Sequence, residues 1–384
     1  MNGSHGVLER WSDGVMWVMS GYLFFFSPAV YAQTNSNFDV RLSLNMESAE
    51  KTVELYEGRS GRPEDVATLR GSMVALATAE LLAQKTFGMD HLVQNLTDAK
   101  FGQRSEGDVY GMGEARIQAL AMRELLDEIK RRNFGRRVVG TVEQLFPVNT
   151  EISTSIPVFF VAFGHGNIDA FVRRVVWRGD VPVFVGEGEG ELTIVVNLAK
   201  AVNYGRNLDE RFIGTLAVVA HEVFHATLGV YQDSSAVWQE YFASRQTYLD
   251  RLLELTHNEG IAHYLSFEQR SRGYLPQDWD QRINASFDEF NKNASDLLSP
   301  RTSPRRAGEI IRASNTSEYW DSYGAITGLF IARQIDITLG RPALAATIAL
   351  GPMEFYGKYV ELTRSNNNLP TLSPAIQKQL VVSP

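Results

Sequence analysis

Residues 221–225 read His-Glu-Val-Phe-His, and this stretch commits the chain to a helix with two unlike faces. Histidines four residues apart lie one turn apart on an α-helix, where both imidazoles can point at one metal ion. The helix has a definite start, because Asn207 can cap it and Glu210, three residues on, can reach back as a capping box. At about 100° per residue, Phe212, Leu216, Val219 and Val223 form one apolar stripe. His221 and His225 fall on the opposite side with Glu222 flanking them. Such a helix buries one side and turns the other to a cleft.

Two imidazoles do not complete a tetrahedral zinc site, so a third ligand is needed downstream. The chain has no cysteine, which leaves nitrogen and oxygen donors only. Glu259, in "LLELTHNEGIAHYLSF", is the leading candidate, on a segment whose Leu249, Leu253 and Tyr264 again make an apolar stripe. Gly260 follows it and costs a helix about 1 kcal/mol relative to Ala. That cost makes sense if a second helix approaches closely enough for Glu259 to reach a shared metal. Glu240 and Glu254 are rival ligands that lack a neighbouring glycine. His263, one turn beyond Glu259, reads as a partner that orients a ligand, since a fourth protein ligand would close the position a water needs.

Around these helices the pattern is α+β and mainly helical. Residues 35–132 show helical periodicity, for example Val66, Leu69, Met73, Leu76 and Ala77, with a turn at "EGRSGRPED". From 156 the runs "IPVFFVAFG", "RRVVWRG", "VPVFVG" and "LTIVVNLAK" are short, β-branched or aromatic, and predict a small, mostly antiparallel sheet. After Asn203 helices return to the end of the chain. The expected division is a signal peptide at 1–32, an N-terminal helical region at 33–148 and a metal-binding domain at 149–384.

Residues 14–30, "GVMWVMSGYLFFFSPAV", are uncharged and apolar, and small or apolar Val30 and Ala32 stand where a signal peptidase reads. The expectation is cleavage after Ala32 and a secreted or periplasmic protein with no stable membrane insertion afterwards. The alternative is an N-terminal anchor, because Arg10 is offset by Glu9 and Asp13. A net charge of −8 argues against a nucleic-acid partner. The one dense basic cluster, Lys130-Arg131-Arg132 with Arg136 and Arg137, reads as cations offsetting the macrodipole at a helix C-terminus.

The pair His221-Glu222-Val223-Phe224-His225 and Asn258-Glu259-Gly260-Ile261-Ala262 resembles the gluzincin zinc metallopeptidases and is similar in wording to the aminopeptidase N group. The likeness covers roughly residues 155–340. It implies a zincin-like catalytic domain, one zinc ion per chain held by His221, His225 and Glu259, and Glu222 as general base. The spacing before Glu259 is longer than in aminopeptidase N-like enzymes, and their Gly-x-Met-Glu-Asn motif is absent. "GEGEGE" at 186–191 can offer a carboxylate to a substrate amine or serve as a solvated turn. A closer likeness is to secreted predicted zinc-dependent peptidases whose C-terminal halves contain stretches similar to "YGAITGLFIARQIDITLGRPAL".

The chemistry agrees with that reading. Zinc with three protein ligands keeps a position for water and lowers its pKa from about 15.7 towards 7. Glu222 can take the proton and deliver it to a leaving amine. An oxyanion donor is also needed. Tyr323 is favoured, because related families place a tyrosine in this region, with His257 and His263 as alternatives; Tyr323 equally forms a core stripe with Ile326 and Phe330. The substrate is then a peptide or protein, cut by an endopeptidase or oligopeptidase; an aminopeptidase and a non-catalytic zinc-binding module are the other readings. An intact Glu222 argues against the last.

Overall fold

The computed structural model describes residues 37–381 except 60, 167, 186–188, 271–277 and 316–320. The expected signal peptide, its cleavage site at Ala32 and half of "GEGEGE" lie outside the described residues. The first strand, β1 (Phe38–Asn45), is followed by α1 (Glu47–Tyr56), α2 (Pro63–Ala67), α3 (Arg70–Ala83), α4 (Met89–Lys100), α5 (Met112–Ile117), α6 (Ala119–Arg131) and α7 (Phe134–Glu143). Then come β2 (Ile152–Val161), β3 (Ala170–Arg178), β4 (Val181–Val185) and β5 (Glu191–Asn197). The rest is helical: α8 (Leu198–Ala201), α9 (Leu208–Ser234), α10 (Ala236–Ser244), α11 (Tyr248–Arg270), α12 (Trp279–Leu298), α13 (Pro304–Asn315), α14 (Tyr323–Leu339), α15 (Arg341–Leu350), α16 (Pro352–Ser365) and α17 (Pro374–Val381). The fold is α+β and mainly helical.

The five strands form one sheet in the order β1-β2-β5-β3-β4. It is mixed. The β1–β2 and β2–β5 pairs are parallel, and β5–β3 and β3–β4 are antiparallel. The parallel half exists because the segment read as wholly helical opens with a strand, "FDVRLSLN", whose Phe38 and Val40 are buried on alternate positions. A parallel return from β1 to β2 needs a crossover, which α1–α7 supply. Central β2 has helices on both faces, so Val158, Phe159, Phe160 and Val161 are all buried in one run rather than alternating. Phe160 packs edge-on to Phe134 of α7, while Val161 faces Gly71 of α3.

On one face α9 crosses β2, β5 and β3; α11 packs on α9, and α14 packs on α11. The start of α9 follows the capping signal. Asn207 Oδ1 accepts from the Glu210 amide at 2.9 Å, and the Glu210 carboxylate accepts from the Arg206 amide at 2.7 Å. Phe212, Leu216, Val219 and Val223 are all at most 2% exposed. The basic cluster secures this helix. Arg132 pairs with Glu128 and Asp209, and the guanidinium carbons of Arg132 and Arg137 lie 4.9 and 5.0 Å from the Phe212 ring centre.

Candidate metal centre

The two histidines of α9 come together on the side opposite its buried apolar stripe. Their Nε2 atoms are 3.1 Å apart. Glu259 reaches across from α11, its Oε2 lying 3.6 Å from His221 Nε2 and 3.4 Å from His225 Nε2. A tetrahedral zinc ion with ligands at about 2.0–2.2 Å separates its donors by about 3.3–3.6 Å; both edges to Glu259 fall in that range, and the edge between the histidines is about 0.2 Å shorter. Among the described residues this triangle is the one group of three or more His, Asp or Glu side chains able to hold a metal. The three side chains are 13%, 19% and 24% exposed, which leaves a side open to incoming molecules.

The charges inside the triangle support the same conclusion. Burial works to raise the Glu259 carboxyl, but the imidazoles of His225, His221 and His263 hold it well below the usual carboxylate range. Burial and the neighbouring rings of His225 and His263 push His221 well below an ordinary imidazole. Burial acts on His225 in the same sense, yet Glu259 outweighs it and raises that ring. An anionic carboxylate beside a neutral imidazole is the donor set a divalent cation requires. Glu222, next to His221 in the chain, is raised to about 7, chiefly by burial; His225 and Arg173 oppose the rise, and Glu259 and Asp169 add to it.

Gly260 has a different role from the one its position suggested. A Cβ built on it would lie 2.3 Å from Gly328 Cα, so the helix it admits is α14, not the histidine-bearing α9. Gly328 answers it, with its own Cβ position 2.0 Å from the Thr256 carbonyl oxygen. The glycines let α11 lie backbone to backbone on α14. Glu259 is thus held on the rigid layer behind the site.

The remaining sequence candidates separate clearly. His263 joins the centre: its Nδ1 donates to the Glu259 carbonyl at 2.9 Å, and its ring stands edge-on to His221 with centres 4.8 Å apart. His257 is fully buried between Trp238 and Phe355, with Nδ1 on Asn258 Oδ1, and is pushed down to about 4 by burial. Glu254 is spent on Asn258 Nδ2 and Arg251, and Glu240 is exposed on α10. Tyr323 is 2% exposed and donates to the Ile310 carbonyl at 2.9 Å; Asn293, Glu289 and Arg306 are the polar groups acting on it. The structure therefore sets it among α12, α13 and α14 and gives it no contact with the triangle. Of "GEGEGE", Glu191 accepts from the Trp177 indole at 2.5 Å.

Asp169 and Arg173 were not legible from the sequence. They stand at the start of β3 and act on Glu222 through the folding of the sheet, which no local motif announces.

No curated protein and no solved structure matches the chain. A family model described as "Putative zinc dependent peptidase (DUF5700)" matches residues 44–368, a span that contains strands β2–β5 and the metal-site helices. With most of its length matched and a His-His-Glu group able to hold the metal that description requires, the chain belongs to this zinc-dependent peptidase family.

Proposed function

We propose that the chain is an exported, gluzincin-like zinc endopeptidase or oligopeptidase, with His221, His225 and Glu259 as ligands and Glu222 as general base. The observation that carries the reading is the triangle of donors 3.1–3.6 Å apart with Glu222 on the same turn of α9. Bound zinc supplies Lewis acidity and an activated water. His221 and His225 offer Nε2, and Glu259 offers Oε2. Glu222, part-buried beside them, accepts the proton of the attacking water and passes it to the leaving amine as the peptide bond breaks. Its high proton affinity suits both halves of that transfer. His263 steadies the α11 turn that carries Glu259. Export rests on the apolar run ending at Ala32, and N-terminal sequencing of protein recovered outside the cytoplasm should begin at Gln33.

Glu222→Gln tests the mechanism. At equal zinc content, cleavage of a mixed peptide library, read by mass spectrometry, should fall by about 10²- to 10⁴-fold in kcat with a smaller change in KM. If both proteins cut equally well, Glu222 is not the base. If the wild type cuts nothing, the non-catalytic zinc module replaces the enzyme. Free against blocked N-termini separates an aminopeptidase, for which Glu191, tied to Trp177, is a poor amine ligand.

A further inference from the structure

A second concavity lies at the carboxyl ends of the parallel strands. It is a cleft of about 670 Å³, bounded by the segment after β2 (Gly164, His165, Gly166), by Asn197 at the end of β5, by Lys200 of α8, and by residues between 102 and 118. The volume falls in the range of small-molecule sites, and the carboxyl ends of parallel strands are where open α/β sheets leave a crevice. None of His221, Glu222, His225 or Glu259 lines it.

The charges on its wall do not balance within the described protein. Arg104, Arg116 and Lys200 all line the cleft, and among the described residues no carboxylate lies within ion-pair distance of any of them. Arg116 and Lys200 are half-buried. Other half-buried cations have a partner, a carboxylate for Arg123 and Arg132 and a backbone carbonyl for Lys100 and Arg211. Two acidic residues share the wall, but Asp108 uses its carboxylate oxygens on the Met112 and Gly113 amides, and Glu114 makes no ion pair among the described residues. Partial desolvation of an unpaired cation costs free energy that a bound counter-charge recovers.

The backbone also leaves room for Arg116. Gly102 has φ +72°, and a Cβ built there would lie 3.2 Å from the guanidinium carbon, so glycine at 102 makes room for that group. Among the described residues Arg116 Nε is buried without a hydrogen-bond partner. A guanidinium with an unsatisfied donor is suited to charge-assisted contact with a planar or tetrahedral oxyanion.

We propose that the cleft is a binding site for a small anionic molecule carrying carboxylate or phosphate groups, with Arg116 and Lys200 as its principal contacts and Arg104 at the rim. The site is independent of the metal centre and of the peptidase reading.

Isothermal titration of the full-length protein with inorganic phosphate and with succinate tests it, alongside Arg116→Gln, Lys200→Gln, the charge-retaining Arg116→Lys and the metal-ligand variant His225→Ala. Saturable binding of at least one anion is expected, and which one binds tells a phosphate-bearing from a carboxylate-bearing ligand. Either Gln variant should weaken it about tenfold or more, Arg116→Lys less, and His225→Ala should leave it unchanged. Because Arg116 and Lys200 lie on different elements, a folding defect in one variant leaves the other decisive, with circular dichroism reporting the fold. The site is refuted if neither anion saturates, if both Gln variants bind like wild type, or if only His225→Ala abolishes binding.

Discussion

Replacing Gly260 with alanine adds a single methyl group behind Glu259. That methyl would sit 2.3 Å from Gly328 Cα and its carbonyl carbon, whereas non-bonded carbons rest at about 3.5–4.0 Å. Both obstacles are backbone, so no side chain can swing aside and α14 must retreat by about 1 Å or more. Alanine favours an isolated helix by about 1 kcal/mol over glycine. Overpacking a core costs about 1–3 kcal/mol, and a backbone-on-backbone clash belongs at the upper end or beyond. The net expectation is destabilisation by about 2 kcal/mol, with looser zinc because the shift moves the neighbouring Glu259. Gly140→Ala on α7 is the control: nothing lies within 4 Å of its Cβ, so it should stabilise by about 0.5–1 kcal/mol. Urea midpoints followed by circular dichroism compare the two, with m-values checking that the unfolded states match. A Gly260→Ala midpoint at or above wild type would show that the crossing is not tight and that the reasoning fails.

Metal analysis of the purified protein should find one zinc per chain, lost from stoichiometry in His225→Ala and Glu259→Ala; full zinc in Glu259→Ala would return Glu254 or Glu240 to consideration. Tyr323→Phe removes the hydroxyl that donates to the Ile310 carbonyl of α13 and should cost about 1 kcal/mol in urea unfolding while kcat per folded molecule stays within a few-fold. A hundredfold fall in kcat would put its hydroxyl in the reaction. His257 is held neutral down to about 4 against an ordinary 6.5, so the unfolded chain binds this proton first as pH drops. Stability from this group is therefore complete above 6.5 and is lost as pH falls towards 4, by about 3 kcal/mol in all. The difference between wild type and His257→Gln in urea midpoints at pH 7 and at pH 4.5 measures it, and an identical pH response in the two proteins would contradict it.

What could be read from the amino-acid order is what neighbouring residues decide among themselves. The four-residue spacing of His221 and His225, the Asn207–Glu210 cap and the stripe from Phe212 to Val223 all concern one helix, and all are present in α9. Glu259 was identifiable because the wording around it resembles a known zinc-site pattern. The period-two run at Phe38–Asn45 was also visible in principle, but its pairing with β2 was not, since the parallel direction follows from the path of seven intervening helices. In the same way glycine at 260 signalled a close approach without naming its partner. That partner is α14, whose Gly328 is 68 positions away in the chain. Tyr323 shared a helix face with Ile326 and Phe330, and only the packing of α13 showed where its hydroxyl goes. Arg116 and Lys200 carry no local sign of having no carboxylate beside them among the described residues, because ion pairing depends on which distant carboxylates the fold brings near. Helical and strand periodicity encode which face of an element is apolar; what covers that face is settled by the simultaneous packing of all the others.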